Sequence, residues 1–161
     1  MKVEPELDIR CLAPMGCGMM TGAGSVWNYL KPEKGSSIII FGLGAVGFGA
    51  IAAAKQAGCR RIIAVDRISD RLELARKFGA TEVIDSRKGK DMNMQKDGAD
   101  MAENIVNNGS RVDYGFDTTG NATLLAVLPK VPKPDATACG VDGGFVDGFG
   151  WKCTDEGFSI P

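Results

Sequence analysis

Three glycines and one acid in this chain have the types and spacing to hold a dinucleotide. Gly42, Gly44 and Gly47 spell G-x-G-x-x-G, and Asp66 stands about 20 residues beyond the last of them. In that arrangement the first glycine permits a tight turn, the second lets backbone approach a pyrophosphate, and the third lets helix and strand pack closely. The phosphates sit on a helix N-terminus, where unpaired N–H groups and the positive end of the macrodipole favour an anion. Leu43, Ala45 and Val46 fill the remaining positions of the turn and join the glycines as cofactor-binding candidates. An acid at position 66 would accept from the adenosine ribose 2'-OH and repel a 2'-phosphate, which favours NAD over NADP. Arg67 could in principle favour the 2'-phosphate, but it follows directly on Asp66.

The neighbouring sequence has the elements such a site needs. Ile38, Ile39, Ile40 and Phe41 form an uninterrupted apolar run, suited to a parallel strand buried on both faces. Val46, Ala50, Ala53, Ala54 and Ala57 share one helical face, Gly58 stops that helix, and Ile62 to Val65 is a second strand ending at Asp66. The stretch from Ser36 to Ala54 carries no charge and is long enough to cross a membrane, but glycines at 42, 44, 47 and 49 count against that reading.

Asp70 and Glu73 predict a capping box opening the next helix, with Leu74 and Phe78 inward and Gly79 as its end. Thr81 to Ile84 predicts a third strand. Ser86 to Gly98 is polar and reads as a solvated loop, ahead of a helix through Met101, Ala102 and Ile105 that Gly109 ends. Val112 to Asp117 predicts a fourth strand. Thr118 and Thr119 at its carboxyl end are either ribose or adenine neighbours or a polar turn capping the next helix. Leu124, Leu125 and Leu128 suggest two helical turns stopped by Pro129, Pro132 and Pro134, and Thr137 to Val141 a fifth strand whose Cys139, Gly140 and Val141 approach the nicotinamide side.

The fold expected is α/β, a doubly wound parallel sheet (Rossmann fold) with a shortened second half. Residues 1–35 are a lead-in, with Trp27 and Tyr29 as packing residues, 36–141 the NAD-binding domain, and 142–161 an irregular glycine-rich tail. A chain of 161 residues needs no disulfide or metal staple to hold one domain. Its net charge of -1 gives no pull toward nucleic acid or anionic membrane. The N-terminus lacks an apolar h-region, and five irregularly spaced cysteines do not make a disulfide framework; a reduced, cytoplasmic setting is expected.

The stretches A-P-M-G-C-G-M-M-T-G-A-G, K-P-E-K-G, G-L-G-A-V-G, L-A-R-K-F-G-A-T-E-V-I and V-D-Y-G-F-D-T-T-G closely resemble zinc-dependent medium-chain alcohol dehydrogenases, particularly their aryl-alcohol branch. The resemblance covers about Lys2 to Gly120. It implies that Cys17 is a zinc ligand, that Thr21 lies by the nicotinamide, that Val46 braces that ring from behind, and that Arg71 contacts the cofactor. It also implies hydride transfer between an alcohol and NAD, with zinc as the Lewis acid. The family's other ligands, a cysteine and a histidine with a nearby acid, come from a separate catalytic domain, and this sequence contains no histidine. Cys17 is therefore either one member of an incomplete zinc site or a small buried thiol in a turn. The whole chain is correspondingly either the cofactor half of such an enzyme, taking NAD and an alcohol or aldehyde, or an NAD-binding module without chemistry. The family's dimer pairs through the last strand of this sheet, which the tail does not supply in recognisable form.

Overall fold

The computed structural model describes residues 4, 8–87, 111–121, 124, 128, 132–140, 150–154 and 157–159. Strand β1, Ser37–Phe41, is buried at every position and lies at the centre of the parallel part of the sheet. It pairs in parallel with β2, Arg61–Asp66, on one side and with β4, Val112–Asp117, on the other. Strand β3, Glu82–Asp85, extends the sheet beyond β2, and β5, Pro132–Gly140, extends it beyond β4, both in parallel. The order β3-β2-β1-β4-β5 is that of a doubly wound sheet, as the sequence predicts.

Burial on both faces explains the unbroken isoleucines. Because side chains alternate across a strand, Ile38 and Ile40 enter one core with Ile62, Ala64 and Phe116, while Ile39 and Phe41 enter the opposite core with Ile63, Val65 and Leu128. Each fully buried side chain of this size contributes about 2 kcal/mol of transfer free energy.

Helix α3, Ala45–Gln56, crosses from β1 to β2 and buries Ala50, Ile51, Ala53 and Ala54. Its end is set by Gly58 at φ +84, with the Cys59 N–H returning to the Ala54 carbonyl at 3.0 Å. Ahead of β1, a four-residue helix α1, Ile9–Leu12, and a tight turn lead into α2, Gly18–Gly24, which runs on as a wider π-type turn through Leu30. Helices α2 and α3 meet backbone to backbone. A Cβ on Gly22 would run into the Val46 carbonyl, and one on Gly49 into the Met19 carbonyl. That contact gives the T-G-A-G stretch a packing purpose. Farther along the same segment Val26 and Leu30 are buried, whereas Trp27 and Tyr29, expected to pack, face outward.

Three expectations need correction. Helix α4, Ser69–Phe78, has Ile68 at its N-cap and no side-chain cap, so the Asp70–Glu73 box does not form. Its buried face carries Leu72 and Ala75, three residues apart, while Leu74 is 40 % exposed; Phe78 packs on Phe48 with ring centroids 5.0 Å apart and ring planes tilted by 48°. The tail is not irregular throughout: Gly150–Thr154 forms β6, antiparallel to β5, and Gly157–Ser159 forms β7, antiparallel to β6. Trp151, Cys153 and Phe158 suit strands, but segments this short show no period in sequence.

Thr81 is outside β3 because its N–H and hydroxyl bond the Ile62 carbonyl, while its Oγ1 accepts from the Ile62 N–H. Leu124 and Leu128 are joined by a helical 3.0 Å bond from the Leu128 N–H to the Leu124 carbonyl. The polar stretch after Arg87, the expected helix through Met101, Ala102 and Ile105, and positions Leu125 and Val141 lie outside the described residues. No helix among the described residues is long and apolar enough to cross a membrane.

Candidate cofactor site

Strands β2 and β4 flank β1, but the chain visits them on opposite sides of the switch in strand order, so a crevice opens at the carboxyl ends of β1 and β4. The glycine turn fills its floor. Gly42 takes φ +87, a conformation that disfavours side chains, and its N–H donates to the Val65 carbonyl at 2.9 Å. A Cβ there would stand 2.5 Å from Thr118 Oγ1 and 2.7 Å from Thr119 Cγ2. Gly47 is closed as well, since a Cβ on it would strike the Gly42 carbonyl. Gly44 differs: it is exposed, its φ is -84, and a Cβ added there would meet nothing within 4 Å. Open space over Gly44 and the exposed Ala45, at the head of a 12-residue helix, is where backbone N–H groups can take an anion. Val46 is half-buried just beyond.

The walls are carboxylates and threonines held in place. Asp66 is buried, and its Oδ2 accepts from the Leu43 N–H at 2.7 Å while Oδ1 accepts from the Ile68 N–H at 2.9 Å. Arg71 Nη1 lies 3.8 Å from Asp66 Oδ2, and Arg67 is exposed. Across the crevice, Thr118 Oγ1 is shared between the Phe41 and Gly42 carbonyls at 3.0 and 3.1 Å, and Thr119 Oγ1 donates to Asp117 Oδ1 at 2.7 Å. Both threonines therefore tie the end of β4 to the glycine turn and to its own loop. Asp117, 1 % exposed, also accepts from the Gly120 N–H at 3.0 Å, a role the sequence alone did not assign. The signal was present in D-T-T-G, because an aspartate followed by small polar residues builds its own turn. Arg87 is likewise anchored: it pairs with Asp85 and donates to Ser69 Oγ at 2.9 Å, joining the exit of β3 to the start of α4.

The lead-in comes to the same end of the sheet. Packing of Gly18 and Gly22 against Ala45, Val46 and Ala50 brings the α2 turn containing Thr21 beside the head of α3. Thr21 is half-buried, and its N–H donates to the Cys17 carbonyl at 2.8 Å. Cys17 is exposed, which removes the buried-thiol alternative. Among the described residues, the donors do not complete a catalytic zinc, which takes three protein ligands. The sequence has no histidine, and no group of three metal-ligating side chains occurs among the described residues. Cys139 and Gly140 pair with Phe116 and Asp117 at the adjoining strand ends, and burial pushes the Cys139 thiol up to about 11.

Parallel strands in this order, with a glycine turn leading into α3 at the switch point, define a Rossmann-like α/β domain. The chain belongs to the zinc-binding dehydrogenase family, whose model matches residues 45–144. Among curated relatives, a probable S-(hydroxymethyl)glutathione dehydrogenase 1 of Schizosaccharomyces pombe is 41% identical over 123 residues, covering 76% of this chain and 30% of the relative. Alcohol dehydrogenase 1 of Trifolium repens is 37% identical over 141 residues, covering 83% of this chain and 37% of its own length. Among solved structures, benzyl alcohol dehydrogenase from Acinetobacter calcoaceticus superposes with a TM-score of 0.73 at 33% identity, covering 91% of this chain and 38% of that one. An alcohol dehydrogenase zinc-binding domain protein from Burkholderia ambifaria gives 0.75 at 36% identity, with 91% and 37% covered. The chain thus spans about a third of the length of these relatives.

Proposed function

We propose that this chain is the NAD-holding part of an alcohol-dehydrogenase-type oxidoreductase. The observation that carries the reading is the contrast within the glycine turn: Gly42 and Gly47 are closed by their own protein, while Gly44 faces open space at the head of α3. Gly44, Ala45 and Val46 would hold the pyrophosphate on backbone N–H groups, and Asp66 with Arg71 would border the adenosine ribose. Thr118 and Thr119 fix the opposite wall, and Thr21 with Val46 would border the nicotinamide. When bound, NAD supplies the hydride acceptor for an alcohol; the residues of this chain bind and orient it. The buried acid at position 66 favours NAD over NADP, because a 2'-phosphate would add negative charge beside a carboxylate.

Zinc and the alcohol belong to this proposal only through the family. Cys17 contributes one exposed thiol toward the metal, and the donor set of this chain does not complete the site. The same shortage of donors favours a second reading, a cofactor-binding module without turnover.

The first reading is tested by calorimetry with NAD and NADP on the wild-type chain and on Gly44→Val. NAD binding is expected in the wild type, with NADP weaker. In Gly44→Val, NAD affinity should fall by at least about tenfold, since the side chain occupies the phosphate approach, while the melting temperature stays within a few degrees. Unchanged NAD affinity in the variant would overturn the placement.

A further inference from the structure

Asp66 grips two separate segments with its two oxygens. Oδ2 accepts from the Leu43 N–H at 2.7 Å, inside the glycine turn, and Oδ1 accepts from the Ile68 N–H at 2.9 Å, at the cap of α4. The side chain is only 7% exposed, and Leu43 is fully buried. Leu43 sits between Gly42, whose φ of +87 makes the turn, and Gly44, whose open face is the phosphate approach. Its N–H is a buried donor answered by a charged acceptor on another strand. Without that acceptor it would be left unsatisfied, at the full desolvation cost of the group.

We infer that Asp66 is a positioning residue for the phosphate turn, fixing the backbone between Gly42 and Gly44 before any nucleotide arrives. This rests on the reading of the glycine turn as the phosphate cradle. A carboxylate offers about four acceptor positions, so contact with a ribose hydroxyl remains open to Asp66 after both main-chain bonds are made. The two roles have different consequences. A residue that only reads ribose matters to ligands with a 2'-hydroxyl; a residue that sets the turn matters to every ligand whose phosphates rest on it.

The probes are ADP and 2'-deoxy-ADP, titrated calorimetrically into the wild-type chain and Asp66→Ala, with Leu43 amide exchange followed by NMR in the absence of nucleotide. In the variant 2'-deoxy-ADP is expected to weaken by about tenfold or more, and ADP by at least as much. The Leu43 N–H should exchange faster and lose its downfield shift, while the Ile39 amide in β1 keeps its protection and reports an intact sheet. Weakening confined to ADP, with 2'-deoxy-ADP unaffected, would overturn the inference, as would unchanged exchange at Leu43. Should Asp66→Ala fail to fold, the wild-type amide decides: slow exchange at Leu43 supports the clamp and fast exchange refutes it. If the wild-type chain binds neither nucleotide, the cradle reading falls, and Leu43 exchange in the variant still judges whether Asp66 holds the turn.

Discussion

Gly44 and Gly47 are the same residue three positions apart, and the structure needs them for opposite reasons. Gly47 is small so that the Gly42 carbonyl can lie against α3, whereas Gly44 is small with nothing of its own protein nearby. The motif was legible in sequence, but that difference was not, because spacing does not say which neighbour fills the space. Cys17 and Cys139 divide similarly. Cys17 is exposed, while Cys139 is buried with its thiol raised to about 11 by desolvation. The thiolate is the reacting form, so a maleimide at neutral pH should modify Cys17 well before Cys139, by about a hundredfold or more in rate. Labelling of Cys139 should accelerate as pH rises toward 11. Peptide mass mapping measures the order; equal rates at neutral pH would contradict the burial of Cys139.

At the scale of elements, β1 was readable because a strand buried on both faces is apolar nearly throughout, whereas β4 carries Asp113 and Asp117 and lacks that pattern. Val112–Asp117 has the bounds expected. Of the two residues expected inward on α4, Phe78 packs against the core but Leu74 does not, because the helix turns Leu72 and Ala75 inward and tertiary packing overrides the size of a single side chain. The missing capping box has another cause: α4 begins at Ser69 with Ile68 as its N-cap, so Asp70 lies inside the first turn and not at the cap. The contact between α2 and α3 was invisible in sequence, because T-G-A-G names small residues without naming their partner. There the substitution Gly22→Ala is expected to cost about 1–3 kcal/mol through overpacking against the Val46 carbonyl. Urea unfolding gives that difference directly. A cost under about half a kcal/mol, the range of ordinary surface substitutions, would mean the helices separate freely.

For the whole molecule, family and fold agree while the metal chemistry is only partly represented in the chain. The family model and the solved relatives account for the sheet and its crossovers. They do not create donors that the sequence lacks. The chain by itself should therefore hold far less than one zinc per molecule after dialysis against a mild chelator, and should form no NADH when given NAD and benzyl alcohol. Elemental analysis and cofactor absorbance check both, and stoichiometric zinc with turnover would show that this chain completes the site. Sequence reading reached this point because the absence of histidine is a property of composition. It missed the last two strands because three to five residues carry too little pattern to declare themselves.

Those short strands also decide what the sheet offers to other chains. The edges of the described sheet are β3, with four residues, and β7, with three. An edge that brief presents few unpaired N–H and C=O groups in a row and makes a poor template for another chain to extend. By folding back antiparallel beyond β5, β6 pairs the longest strand of the second half on both sides. Among the described residues, the sheet's edges thus offer little to edge-to-edge pairing because they are short.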